Sequence, residues 1–214
     1  GVWTIIREDF KVSMRFLGKE QTGILKLLLL AAVVSLFVAG TLVVGFPYLV
    51  RTVLGLSAGY YGAAESAMGV AAILGGVIVG VWAKKIRLRD MFVIFCVFGI
   101  CLILSGAAFL LPIGNTGRYV ALLIFFCICQ LGCSIFSTYA ISVIQARTPE
   151  SLMGKVMSYV FTLSMCAQPL GQMIYGVLFD LFSQNVYGVL IPSGVIVGCI
   201  GWASRRFFRT FEET

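Results

Sequence analysis

Histidine is missing altogether, and charged residues make up only 12% of the 214 positions. Acids are the scarcer sign, 9 Asp and Glu against 16 Lys and Arg. Without histidine, the commonest general base, proton shuttle and zinc ligand is gone. No glycine-rich phosphate loop, no carboxylate pair set for acid–base work and no G-x-S-x-G elbow takes its place, so an enzyme reading has nothing to rest on. The cysteines Cys96, Cys101, Cys127, Cys129, Cys133, Cys166 and Cys199 all lie inside apolar runs. They read as small, membrane-compatible residues, not as disulfides or metal ligands. A secretory signal is also lacking: the first apolar run follows a charged segment of about twenty residues and is too long for an h-region. The chain opens on Gly1 without a methionine, as expected of a fragment or a processed piece.

Apolarity is what the sequence has in excess. It is 60% hydrophobic with mean hydropathy +1.02, whereas soluble domains are about half apolar and about a quarter charged. Only lipid covers that much apolar surface. Six long apolar runs occupy about 24–46, 58–82, 91–111, 119–144, 156–182 and 186–202, each near the roughly 20 helical residues that a bilayer core demands. Pro47 is expected to close the first and Pro112 the third. The predicted fold is therefore an all-α integral membrane bundle over 23–204. Residues 1–22 precede it as an amphipathic interfacial helix, with Arg7, Lys11, Arg15 and Lys19 every four positions and apolar residues between them. Residues 205–214 follow as a tail.

Basic residues set the orientation. Arg7, Lys11, Arg15, Lys19 and Lys26 flank the start of the first span, and Lys84, Lys85, Arg87 and Arg89 lie between the second and third. Arg147 and Lys155 lie between the fourth and fifth, and Arg205, Arg206 and Arg209 follow the sixth. Only Arg51 and Arg118 fall on the opposite side. Both termini are thus expected in the cytoplasm of a multi-pass inner-membrane protein, and topology explains the basic balance without nucleic acid. Spans one to three and four to six form two triplets of opposite orientation, the arrangement of inverted repeats in secondary transporters.

Polar groups at membrane depth are the functional candidates. Glu65 shares a helical stripe with Gly62, Gly69, Ala72, Gly76 and Gly80, which predicts that the stripe faces another helix and not lipid. An intramembrane acid is a candidate coupling-ion site. Ser164, Gln168 and Gln172 recur at i, i+4, i+8 with Tyr175 close to the same stripe, and Gln130, Ser134 and Ser137 recur on the fourth span. Amides are costly against hydrocarbon, so these rows are expected to line a wet cavity or to bond one another. Pro169 is a candidate pivot within the fifth helix. Ala167/Gly171, Gly76/Gly80 and Gly194/Gly198 are candidate close-packing pairs, and Gly76, Gly80, Pro169 and Gly171 candidate hinge positions. Asp180, near the end of the fifth span, reads as a helix-end group.

The segments QARTPESLMGKVMS (Gln145–Ser158) and AQPLGQMIYGVLFD (Ala167–Asp180) resemble the loop and eleventh helix of the major facilitator superfamily, in its macrolide-efflux-like and siderophore-exporter-like branch. REDFKVSMRFL resembles the helix before that family's seventh span, and GAAESAMG its eighth helix, with Glu65 at a commonly acidic position. VWAKKIRLRD departs from the family's loop signature, with Lys84 where an Asp stands and Lys85 where an Arg stands. The resemblance implies the C-terminal six-helix half of a proton-coupled exporter of hydrophobic or amphipathic molecules, working by alternating access. Its partners would be the bilayer, the small-molecule substrate and an N-terminal six-helix half; it needs no cofactor beyond a proton or cation gradient. In that arrangement the first and fourth spans line the cavity, the second and fifth flank it, and the third and sixth face lipid. The alternatives are a self-contained six-span carrier or channel acting as a homodimer, and a non-transport membrane scaffold or sensor.

Overall fold

A chain crossing hydrocarbon must satisfy every backbone N–H and C=O internally, and long apolar runs do so as helices. The computed structural model describes residues 22–82 and 84–213; among them all regular structure is helical. The amphipathic segment read at 1–22 lies outside the described residues apart from Thr22, which opens the first helix. Six rods follow: α1 (Thr22–Val38), α2 (Ala58–Trp82), α3 (Phe92–Leu110), α4 (Asn115–Arg147), α5 (Glu150–Leu181) and α6 (Tyr187–Glu213). Five of them, α5 excepted, are apolar and long enough to cross a membrane. At 32 residues, α5 is long enough but more polar, carrying Lys155, Gln168, Gln172 and Asp180.

The first rod departs from the expected stop at Pro47. After Val38 it widens into π-helical turns at Ala39–Gly45 and Tyr48–Val53, so the rod runs on to Val53. Phe46 N–H donates to the Thr41 carbonyl and Leu54 N–H to the Leu49 carbonyl, five residues back in each case. A proline removes one N–H and crowds the carbonyl four residues before it; the wider turn accommodates both. α4, α5 and α6 also outrun their predicted spans, whereas α2 coincides with its span and α3 stays within it. α4 extends to Arg147, α5 begins at Glu150, and α6 carries the expected tail to Glu213 as continuous helix.

Packing pairs the rods as α1 with α5, α2 with α4, and α3 with α6, while α4 also touches α1 and α3. Exchanging the first triplet with the second maps α1·α5 onto α4·α2 and α3·α6 onto itself, which is the pairing an inverted repeat requires. The rods therefore form an arc, α2–α4–α3–α6–α1–α5, with α2 and α5 at its two open ends. Both ends of the bundle are stitched by hydrogen bonds. Tyr119 Oη donates to the Tyr60 carbonyl (2.8 Å) and Asn115 Nδ2 to that of Leu54 (3.3 Å) at one end. Tyr139 Oη donates to the Ile86 carbonyl (3.1 Å) at the basic end. Arg118 reaches back to the carbonyls of Phe109 and Leu111, where a cation offsets the negative end of α3.

Glycine sets how closely the pairs approach. A Cβ on Gly99 would lie 2.5 Å from the Gly194 carbonyl oxygen and 2.8 Å from Gly198 N, and one on Gly75 2.8 Å from the Leu131 carbonyl oxygen. One on Gly171 would collide with the Leu36 carbonyl, and one on Gly40 with the Tyr175 ring. Gly171 and Gly194 thus pack as the sequence implied. Gly76 and Gly80 do not: a Cβ there meets nothing within 4 Å, and Gly75, one position earlier, makes the contact. Replacing Gly99 by alanine is expected to cost about 1–3 kcal/mol through overpacking against backbone. Gly76→Ala should leave stability unchanged, and thermal unfolding of the two detergent-purified variants checks the contrast.

Candidate functional site

The arc leaves one side open between α2 and α5, and the candidate polar residues distribute unequally around it. Each helix presents a packed face, fixed by residues recurring every three or four positions, and flanks that this bundle leaves uncovered.

On α2 the packed face is Ala64, Met68, Ala71, Gly75 and Val79, all buried against α4. One flank is bulky and apolar: Val70, Ile73, Leu74, Val77 and Val81 are all exposed, as suits contact with lipid. The opposite flank carries Gly62, Glu65, Gly69, Gly76 and Gly80. The predicted stripe exists, but among the described residues no helix covers it: Glu65 is exposed, and a Cβ on any of the four glycines meets no described atom within 4 Å. The Tyr61 phenol, one turn away, stands beside the Glu65 carboxylate.

On α4, Ser134 Oγ donates to the Ala72 carbonyl (2.7 Å), an interhelical bond that accounts for its hydroxyl. Its neighbours in the row behave otherwise. Gln130 is half-buried and Ser137 exposed, both on the α4 surface between the Ser134 contact to α2 and the buried Phe126 and Cys133 line. Among the described residues neither side chain is taken up in a hydrogen bond.

On α5, Gln168 is exposed and Ser164 and Gln172 half-buried, while the helix runs unbroken through Pro169, which lies on an exposed face. Among the described residues no hydrogen bond engages the Gln130, Gln168 or Gln172 amides. Tyr175 parts company with them. It is buried, with its ring against Gly40 and Phe37, and its hydroxyl donates to Ser193 Oγ of α6 (2.7 Å). Ser193 in turn donates to the Val189 carbonyl (2.7 Å), so Tyr175 is an interhelical strut and not a cavity residue. Gly171 is likewise held against α1 and leaves no room for a hinge. Sequence spacing missed Ser193 because a lone serine near Pro192 carries no periodic signal.

At the basic end, Lys84, Lys85, Arg87 and Arg89 are exposed in the α2–α3 connection, with Arg89 3.9 Å from Asp90. Arg147 and Lys155 are half-buried where α4 turns into α5. Among the described residues no group of histidine, cysteine and acidic side chains is placed to hold a metal ion. Among the described residues, the cavity lined by Phe37, Phe98 and Phe136 is small, about 20 Å³, and wholly apolar, so it offers a ligand no polar contact. The candidate polar side chains lie on the outer flanks of the helices instead.

A family model described as the Major Facilitator Superfamily matches residues 28–210, which takes in all six rods. The chain belongs to the major facilitator superfamily. It is thus a multi-pass membrane transporter in general character, consistent with the missing catalytic constellation. Comparison with curated proteins and with solved structures gave no match.

The division between struts and free polar groups in this superfamily member is testable. Tyr175→Phe removes one buried hydrogen bond and is expected to lower stability by about 0.5–1.5 kcal/mol. Gln168→Leu should leave it unchanged or raise it slightly. A thermal scan of both variants separates the two roles; equal losses would mean that Gln168 is also structural.

Proposed function

We propose that this chain is one six-helix half of a secondary transporter. A second six-helix bundle would close against the faces of α2 and α5, and substrate would bind between the halves. The observation that carries this reading is the three-faced character of α2. A bulky apolar flank suits lipid; a flank of four glycines and one carboxylate does not, because small residues gain packing only against another helix and a charge in hydrocarbon costs a few kcal/mol. The same argument applies to the free amide of Gln168 on α5. Both flanks border the open side of the arc, where α4 supplies Gln130 and Ser137.

In this reading Glu65 takes up and releases the coupling proton or cation. Gln130, Ser137, Ser164, Gln168 and Gln172 contact the substrate through an otherwise apolar wall. Such a wall suits hydrophobic or amphipathic small molecules, expelled by antiport in the manner of the macrolide-efflux-like and siderophore-exporter-like branch. Rocking of one half against the other alternates access, with the basic end in the cytoplasm. The close contacts of Gly40 and Gly171 between α1 and α5 support rocking of the bundle as one body, with Pro169 in an unbroken helix.

The reading is tested in membrane vesicles containing the natural full-length protein. Gly69→Leu should abolish transport, and since its side chain meets nothing inside this bundle, any accompanying loss of thermal stability comes from the contact between the halves. Glu65→Gln should leave substrate binding measurable and flatten the pH dependence of transport. Normal transport by Gly69→Leu would remove the second bundle from that face. An unaltered pH profile in Glu65→Gln would remove Glu65 from coupling.

A further inference from the structure

We propose that the groove between α3 and α6 binds one anionic phospholipid, with an acyl chain in the groove and the phosphate on the arginines at the basic end. The groove encloses about 430 Å³ and is lined by apolar and small residues, among them Ile100, Ile103, Gly194, Gly198 and Trp202. Its floor is backbone. Gly99 and Gly194 bring α3 and α6 so close that neither tolerates a side chain, and bulky neighbours rise on either side. A Cβ on Gly198, by contrast, points into open space.

The upper end of the groove is built for a headgroup. Gly198, Trp202, Arg205 and Arg209 recur at intervals of four, three and four, which aligns them on one face of α6. The groove therefore runs from Gly198 past Trp202 toward the Arg205 guanidinium, with Arg209 one turn further along the same face. Trp202 is 66% exposed, the position of an interfacial anchor. The Arg205 guanidinium lies 5.5 Å from the centre of the Trp202 ring and 5.3 Å from that of Phe92 on α3. Stacking between rings from both helices fixes the cation over the groove before any ligand arrives. Among the described side chains no carboxylate pairs with Arg205; the nearby Asp90 stands beside Arg89.

What fills a groove on a membrane-spanning surface is an acyl chain, and the fixed cation decides whose. Arginine forks match phosphate oxygens, and a basic site at the membrane surface favours an anionic headgroup by about fivefold per cation. A zwitterionic lipid occupies the same groove without that gain. The site lies on the helix pair opposite the open side of the arc, so it does not depend on the transport reading above.

Trp202 reports on the site directly. The natural full-length protein, with every tryptophan except Trp202 (Trp3 and Trp82 among them) replaced by phenylalanine, is reconstituted in phosphatidylcholine vesicles containing brominated phosphatidylglycerol or brominated phosphatidylcholine. Quenching of Trp202 should show about fivefold or greater preference for the anionic lipid. Arg205→Gln with Arg209→Gln should bring that preference close to one. Gly198→Leu, which fits the groove without strain, should weaken quenching by both lipids, and inorganic phosphate should not compete. Equal quenching by the two lipids in the parent protein overturns the proposal. So does a preference that survives loss of both arginines, that Gly198→Leu leaves untouched, or that inorganic phosphate abolishes.

Discussion

Helices in hydrocarbon gain no hydrophobic free energy by burying one apolar side chain against another, so this bundle depends on close packing, which is tightest where its backbones can touch. Each of the three main pairings has such a place. α3 meets α6 at Gly99 and Gly194, α2 meets α4 at Gly75, and α1 meets α5 at Gly40, Gly45 and Gly171. At the last crossing aromatic rings fill the relief that glycine leaves, Tyr175 over Gly40 and Phe179 over Gly45. Polar bonds then fix register: Ser134 to Ala72 between α4 and α2, and Tyr175 to Ser193 between α5 and α6. The aromatic contacts Phe46–Phe126 (5.1 Å) and Phe95–Phe136 (5.0 Å) fill the spaces between pairs. Dispersion and shape do here what the hydrophobic effect does in water.

That constraint also separates what spacing could show from what it could not. Five of the six spans were plain in the apolar runs, because the bilayer sets a length and lipid sets a composition, and α5 is the more polar exception. Their ends were not, since helix continues into the interface, where aromatic and basic residues are tolerated; α4 and α6 both outran their apolar runs this way. Pro47 misled for a related reason. A proline ends a helix only if the freed carbonyl has no other route, and here the turns widen so that the rod continues to Val53. Spacing placed Gly62, Glu65, Gly69, Gly76 and Gly80 on one side of α2, and they lie there. It could not tell which side this bundle covers, and the covered one is a step of about 100° away, through Gly75.

Tyr175 shows the same limit at higher resolution. By angle it falls within the stripe of Ser164 and Gln168, and by chemistry it suits a cavity. Its ring nevertheless fills the gap over Gly40, a contact that no pattern within α5 encodes because the glycine belongs to α1. Ser134 likewise looked like its row-mates Gln130 and Ser137 until the Ala72 carbonyl claimed it. Periodicity is a property of one helix, and function in a bundle is decided between helices.

The polarity of α5 brings these strands together. A helix with two glutamines and several hydroxyls is poorly matched to lipid all round, yet it crosses the bundle as one unbroken rod of 32 residues. Its buried face, Val156, Val160, Ala167, Gly171, Tyr175 and Phe179, is fully spent on α1 and α6. The exposed remainder has two parts: Leu170, Ile174, Val177 and Leu181 form an apolar stripe that suits lipid, and Met165 lies on the flank that carries Gln168 and Gln172. That second flank is neither a lipid face nor a packed core. A flexible methionine beside free amides can shift between contact with a neighbouring protein surface, a hydrophobic solute and water, because a thioether repacks cheaply and amides need only one partner at a time. The buried face lacks that freedom, being pinned by glycine contacts that tolerate no displacement. Rigidity on one side of α5 and adaptability on the other are therefore consequences of a single sequence decision: where along the helix the small residues were placed.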